Sequence, residues 1–204
     1  MSVLHHPSPD ILAAYAAGTL EPGFGLVVSA HVETCASCRK QVGLFEAASG
    51  AALADLPRAD VAANALERVM ARVDDVAPPT PVNTRPLLER LPLKRRKWVA
   101  PGVWVAAVDT PHAKDNRVYV LSVAAGMPTA RHEHTGAEFC TVLQGAYRDE
   151  LGTFSAGDFA AAYDDLNHQP MVVGDEPCIC LFATEGRLKP QGWIGRLAFG
   201  LADV

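Results

Sequence analysis

The sequence predicts a two-part protein, a helical module followed by an all-β domain of the sandwich or barrel type. Three observations carry that reading. Up to about residue 73 the apolar residues recur at helical spacing. From Asp74 to Pro92 the chain carries Pro78, Pro79, Pro81, Pro86 and Pro92, a density that favours an extended connection over a packed element. Beyond residue 98 the apolar residues fall into short segments rich in β-branched and aromatic types, separated by Gly, Pro, Asn or Asp. The expected organisation is a helical domain over 1–76, a proline-rich linker over 77–93 and a β domain over 94–204, with the boundary near residue 80.

Four helices are expected in the first part. Ser8-Pro9-Asp10 supplies an N-cap, a proline for the first helical position and an acidic first turn, and Ile11, Leu12 and Tyr15 follow at helical spacing up to Gly18. Glu21-Pro22-Gly23 breaks the chain, and Phe24, Leu26, Val27, Val28 and His31 carry a second helix toward the cysteines. A third runs from about Ala36 through Val42, Leu44, Phe45 and Ala48. The fourth spans Asp60 to Val73, with Val61, Leu66, Val69 and Met70 as its apolar stripe. In the second part, strands are expected at Val103–Val108, Arg117–Val123, Phe139–Leu143, Ala146–Glu150, Phe159–Ala162 and Cys178–Ala183. Short strands at regular spacing suggest a sandwich or barrel.

Composition excludes several classes. With 49% hydrophobic and 20% charged residues among 204, the chain can bury a core in each half. A net charge of −5 gives no basic footprint for direct nucleic-acid binding. The run Lys94-Arg95-Arg96-Lys97 reads as a solvated stretch. The N-terminus, MSVLHHPSPD, lacks a basic segment followed by an apolar one, and no stretch approaches the roughly 18 apolar residues that span a bilayer, so a soluble cytoplasmic protein without membrane contact is expected. Five cysteines is an odd number, and two of them form a Cys-x-x-Cys pair, which in a reducing compartment reads as metal or redox chemistry.

That pair sits in His31-Val-Glu-Thr-Cys35-Ala-Ser-Cys38. Zinc prefers thiolate and imidazole in a tetrahedron, and a Cys-x-x-Cys at a helix start can bring both sulfurs to about 2.3 Å from one ion. His31, four residues earlier, can join them. His6, just before the first helix, is the expected fourth ligand, with His5 as the competing choice. Four protein ligands close the site, which argues for a structural zinc that holds a small helical module together. A redox pair of thioredoxin type would need a βαβ setting that this half lacks. The spacing of a near-terminal histidine and then His-x-x-x-Cys-x-x-Cys over residues 1–75 resembles the zinc-binding anti-sigma domain of bacterial transcription regulators. The resemblance implies helices that clasp a sigma factor of the extracytoplasmic-function type and block its assembly with RNA polymerase.

A second constellation reads G-M-P-T-A-R-His132-E-His134-T-G-A-Glu138-F-C-T-V-L-Q-Gly145, with His168 further on. On a strand, residues i and i+2 share a face, so His132 and His134 can both aim into a barrel, with Glu138 and His168 completing the set. Three histidines and a carboxylate suit zinc or another divalent transition metal. Cys140 would face the same side as Glu138, and Cys178 and Cys180 share one face of a later strand; all three read first as small core residues. Trp98, Trp104 and Trp193 read as core or interface aromatics.

The pattern G-x5-H-x-H-x3-E-x6-G matches the first motif of the cupin family, which implies a double-stranded β-helix barrel holding a metal on these four ligand types. In the second cupin motif Gly152 and Gly157 are kept, Ser155 stands where a proline is expected, and the stretch from Gly157 to His168 is long. A zinc anti-sigma domain, a proline linker and a cupin-like domain together closely resemble the ChrR-type anti-sigma factors. That resemblance implies an anti-sigma factor whose cupin domain senses an oxidative signal, singlet oxygen or peroxide, and releases the sigma factor. The rival reading is a cupin metalloenzyme of the dioxygenase or isomerase class with a regulatory zinc module; beyond the ligands, Tyr147, Arg148 and Tyr163 offer no convincing acid, base or substrate clamp.

Overall fold

A computed structural model of the chain describes residues 3–73, 85–110, 117–133, 135–163, 166–185 and 189–190. Much of the linker, His134 and Trp193 lie outside the described residues.

The helices start where their capping residues stand. Helix α1 (Pro9–Ala16) begins after Ser8, whose hydroxyl accepts from the Ile11 amide, and has proline in its first turn. Helix α2 (Pro22–Thr34) opens on Glu21, whose carboxylate accepts from the Gly23 amide at 2.8 Å. It runs until Cys35 leaves the helical region at φ −100° and ψ 106°. Cys35 then caps α3 (Ala36–Ala54), its sulfur accepting from the Cys38 amide at 3.5 Å. One residue is thus the end of one helix and the start of the next. Two shorter helices follow, α4 (Ala65–Met70) and α5 (Leu87–Arg90).

The fourth helix is six residues long, against the fourteen expected over Asp60–Val73. Its apolar stripe meets no core: Leu66 is 74% exposed and Val69 62% exposed. A helix this short draws little stability from its own hydrogen bonds and depends on burying a face, and nothing within the described residues buries this one.

The β region contains a six-stranded antiparallel sheet in the order β1-β2-β3-β11-β5-β8, formed by Lys97–Ala100, Val103–Ala107, Arg117–Val123, Cys178–Thr184, Glu138–Gln144 and Phe159–Ala162 respectively. A three-stranded sheet, β10-β6-β7 (Met171–Val173, Ala146–Asp149, Gly152–Ser155), covers one face of it. A third small sheet is made of β12 (Lys189–Pro190), β4 (His132–Glu133) and β9 (Asn167–His168). The β5–β6 connection turns on Gly145, at φ +71° with Pro177 O 2.5 Å from where a Cβ would sit, so only glycine fits this hairpin.

Alternation along the strands gives the large sheet two dissimilar faces. The inner face contributes Val123, Cys140, Val142, Cys178 and Cys180, which pack with Tyr147, Phe154 and Val172 of the smaller sheet. The outer face contributes Val120, Phe139, Phe159 and Leu181, which pack with Leu12, Phe24, Val27 and Val28 of the helices. Helices and sheet share this second core. Phe24 of α2 and Phe139 of β5 have ring centroids 4.5 Å apart, and the buried Thr141 hydroxyl donates to the Val27 carbonyl at 2.8 Å. Among the described residues no helix is long and apolar enough to cross a membrane.

Candidate metal centres

The joint between α2 and α3 assembles the first centre. His31 lies in the last turn of α2, Cys35 at the joint and Cys38 in the first turn of α3. The extended segment before α1 adds His6, and the ligand atoms of His6, His31, Cys35 and Cys38 all lie within 4.8 Å of one another. His31 Nε2 is 3.2 Å from Cys38 Sγ, and His6 Nδ1 is 3.4 Å from both sulfurs. Tetrahedral zinc, with Zn–S about 2.3 Å and Zn–N about 2.0–2.1 Å, sets a nitrogen–sulfur separation of about 3.6 Å, so these three separations are within a few tenths of an ångström of that value.

Protonation favours the same use. His31 Nδ1 donates to the Gly157 carbonyl at 2.8 Å, which leaves Nε2 with the lone pair facing the cysteines. Burial lowers the His31 pKa, the Gly157 carbonyl partly opposing it, so the ring is held neutral as a ligand must be. Burial and the neighbouring Cys35 push the Cys38 thiol up to about 12. His5 points elsewhere, with its ring 4.3 Å from that of Phe154 and its Nδ1 3.4 Å from Asp158 Oδ2.

The second centre lies inside the barrel. Ligand atoms of His132, Glu138 and His168, on β4, β5 and β9, lie within 4.8 Å of one another, and all three residues are buried. His134 is outside the described residues. His132 pairs directly with His168 across β4 and β9, so two strands of two residues each place both imidazoles. His132 Nδ1 donates to the Ala130 carbonyl at 2.8 Å and His168 Nδ1 to Asp149 Oδ2 at 2.9 Å. Both Nε2 atoms therefore turn inward, 3.1 Å apart. Rings oriented in this way turn both Nε2 atoms to one point, as the ligands of a shared cation are turned.

Glu138 is held in the same apolar setting. Burial raises its pKa to about 8, partly opposed by the Tyr119 hydroxyl, which donates to Oε2 at 3.5 Å. Burial likewise lowers His132 to about 4. Burial thus disfavours the charged form at both Glu138 and His132, and a bound cation would reverse that cost at Glu138. The donor set fits a divalent transition metal, and the residues alone do not name it.

Three residues around these centres escaped the sequence reading. Asp149 orients His168, Tyr119 contacts Glu138, and Asp158 binds the chain just before His6. Each acts from a distant part of the chain, so no local spacing signals it. Cys140, Cys178 and Cys180 face the barrel interior, as the alternation predicted for Cys140 beside Glu138. A register shift between Ile179 and Cys180 brings the sulfurs of Cys178 and Cys180 to 3.6 Å. Burial raises the Cys140 pKa, and hydrogen bonding among the thiols together with burial raises those of Cys178 and Cys180, which suits core thiols and not reactive ones. Trp104 is buried beneath the Arg96 guanidinium, 4.3 Å from the ring centroid, whereas Trp98 is 67% exposed.

Comparison with known proteins agrees with this arrangement. Residues 92–188 match the family described as the ChrR Cupin-like domain. The chain is 33% identical over 206 aligned positions to the anti-sigma-E factor ChrR of Cereibacter sphaeroides, covering 97% of each protein. The crystal structure of Rhodobacter sphaeroides SigE in complex with the anti-sigma ChrR superposes with a TM-score of 0.78 at 36% identity, covering 90% of this chain and 100% of that one. An end-to-end match of helical region and barrel, in one order and at this identity, means that the chain belongs to the ChrR family.

Proposed function

We propose that this protein is an anti-sigma factor of the cytoplasm, whose helical unit, residues 1–76, binds and inhibits a sigma factor of the extracytoplasmic-function type. The observation that carries the reading is the match along 97% of the chain with ChrR, a protein solved in complex with SigE. An uncovered apolar row supports it. Leu53, Leu56, Val61, Leu66, Val69 and Met70 are each 60–78% exposed and sit on and after the end of α3. Apolar residues left exposed together in one short stretch of chain fit a partner surface.

His6, His31, Cys35 and Cys38 are assigned to a structural zinc. When bound, zinc supplies folding free energy to a small helical unit. Cys35 and Cys38 fix the angle between α2 and α3, and His6 ties the N-terminal arm to both. The barrel, residues 94–204, is assigned a zinc or other divalent transition metal on His132, His134, Glu138 and His168. That centre is the proposed sensor of an oxidative signal, singlet oxygen or peroxide, whose arrival leads to release of the sigma factor. Imidazole and carboxylate around a buried cation present oxidisable and displaceable ligands to such a signal, and Asp149 and the Ala130 carbonyl hold the two described imidazoles in place.

Co-purification with the sigma factor encoded beside it tests the reading, with wild type compared against a Cys35→Ser, Cys38→Ser variant while bound zinc is counted. The expected result is a one-to-one complex with wild type, lost in the variant together with one zinc. A folded, zinc-loaded wild type that binds no sigma factor would overturn it.

A further inference from the structure

The turn between β7 and β8, Ser155 to Asp158, reaches the first metal centre from the barrel side and touches both halves of it. On one side, the buried Asp158 carboxylate binds the arm that carries His6. Its Oδ1 accepts from the amides of Leu4 at 2.7 Å and His5 at 2.9 Å, its Oδ2 accepts from the Ser155 amide at 2.8 Å, and the Phe159 amide donates to the His5 carbonyl at 3.0 Å. On the other side, the Gly157 carbonyl receives the His31 Nδ1 proton and so fixes both tautomer and ring plane. Between the two, Gly157 lies at φ +92°, and a Cβ there would come within 2.9 Å of Val3 Cγ2 and 3.3 Å of Thr34 Oγ1. The turn is therefore packed against the arm and the end of α2 as closely as a backbone can be.

We propose that this barrel turn is an integral part of the thiolate metal centre, with Asp158 and the Gly157 carbonyl acting as positioning groups for His6 and His31. The inference rests on the proposed assignment of His6, His31, Cys35 and Cys38 to zinc. Only Cys35 and Cys38 are set by the helical joint alone. The two imidazoles take their places from a segment more than a hundred residues away, so the ion is held at full affinity only while the barrel presents this turn. The turn also joins two strands that lead toward the second centre: β8, which starts just after Asp158, ends at Ala162, which pairs with Glu138, and Gly152 at the start of β7 pairs with Asp149, the partner of His168. The two centres are joined by one strand–turn–strand segment, residues 152–162.

The test uses the full chain with zinc and, as a spectroscopic probe, Co²⁺, whose thiolate charge-transfer bands report the first centre separately from the barrel. Two variants attack the contact from opposite sides. Asp158→Asn removes the charge from the barrel side, and Leu4→Pro removes one donor from the arm without touching the barrel. Each is expected to weaken zinc at the thiolate centre about 10- to 100-fold, the range for groups that orient metal ligands. Each should also alter the Co²⁺ bands and speed amide exchange at residues 5 and 6. Because both break the same contact, the double variant should lose no more than the larger single one. Asp109→Asn, at an exposed carboxylate paired with Lys94 and away from both centres, is the control that leaves the thiolate bands unchanged. Unchanged zinc affinity and Co²⁺ bands in Leu4→Pro would overturn the proposal even if Asp158→Asn failed to fold. Wild type that shows no thiolate bands at all would instead overturn the zinc assignment on which it stands.

Discussion

Replacing Phe139 by alanine tests whether helices and barrel stand or fall as one body. Phe139 is 5% exposed and lies on the outer face of β5, one residue after Glu138. Its ring sits 4.5 Å from Phe24 of α2 and 5.3 Å from Phe159 of β8. Burying a side chain of this size contributes about 1.5–3 kcal/mol, and each aromatic pair adds about 0.5–1.5 kcal/mol. The truncation leaves a cavity between two rigid layers that cannot close it, so the cost falls in the range of about 3–5 kcal/mol measured for buried Phe→Ala changes. For a chain of this length each kcal/mol moves the midpoint by about 2–4 °C, giving a fall of about 6–20 °C. The assay is thermal unfolding of the metal-loaded protein, followed at once by far-ultraviolet dichroism for the helices and by fluorescence of the buried Trp104 for the sheet. Both midpoints should fall together. A helical transition that stays at its wild-type temperature while the fluorescence transition drops would refute the shared core.

Two further outcomes follow from the metal centres. Asp149→Asn keeps the shape but removes the negative charge that holds His168, so metal affinity of the barrel centre should fall about 10- to 100-fold in a chelator competition, with the thiolate centre unaffected; equal affinity would show that Asp149 does not orient the ligand. The Cys38 thiol, pushed up to about 12, is protonated at neutral pH and gives up its proton when zinc binds. Zinc affinity should therefore rise with pH, by up to about tenfold per unit for that one proton, between pH 6.5 and 8.5; calorimetry in buffers of different ionisation enthalpy measures the protons released, and a pH-independent affinity would contradict the buried neutral thiol.

How much of this was legible in the chain depended on the range over which each feature is encoded. Arg117–Val123 and Phe159–Ala162 were readable to the residue, because β-branched and aromatic runs bounded by turn residues act locally. β4 and β9 were not readable as strands: two residues cannot show a period, although their histidines were found by type and spacing. The fourth helix was over-read, since a helical stripe predicts a helix only where another surface buries it, and Leu66 and Val69 face outward here. The choice between His5 and His6 was open for a similar reason. Adjacent histidines are equivalent in a sequence, and what separates them is a carboxylate more than 150 positions away, Asp158, which takes the amide and faces the ring of His5 and leaves His6 directed at the cysteines.

The alternation of β5 gives this arrangement its functional interest. Glu138 points into the barrel toward His132 and His168, and the next residue, Phe139, points out onto Phe24 of α2, the helix that ends in His31 and Cys35. Adjacent residues on a strand are about 3.3 Å apart, and their side chains are fixed to opposite faces by the same backbone. A change that turns the strand at Glu138 therefore also turns Phe139, and tight packing on the outer face leaves α2 little room to absorb the motion without moving. Under the proposed function the signal needs to shift sigma binding by only a modest coupling free energy, about 1–3 kcal/mol. One buried aromatic pair at this interface contributes about 0.5–1.5 kcal/mol, which reaches the lower part of that range. Phe139→Leu, which keeps an apolar side chain but loses the ring, should then leave sigma binding in the resting state near wild type and blunt its release by oxidant. Binding and release both unchanged in that variant would mean that the signal does not travel through β5, and would leave the β7–β8 turn at Asp158 as the remaining path.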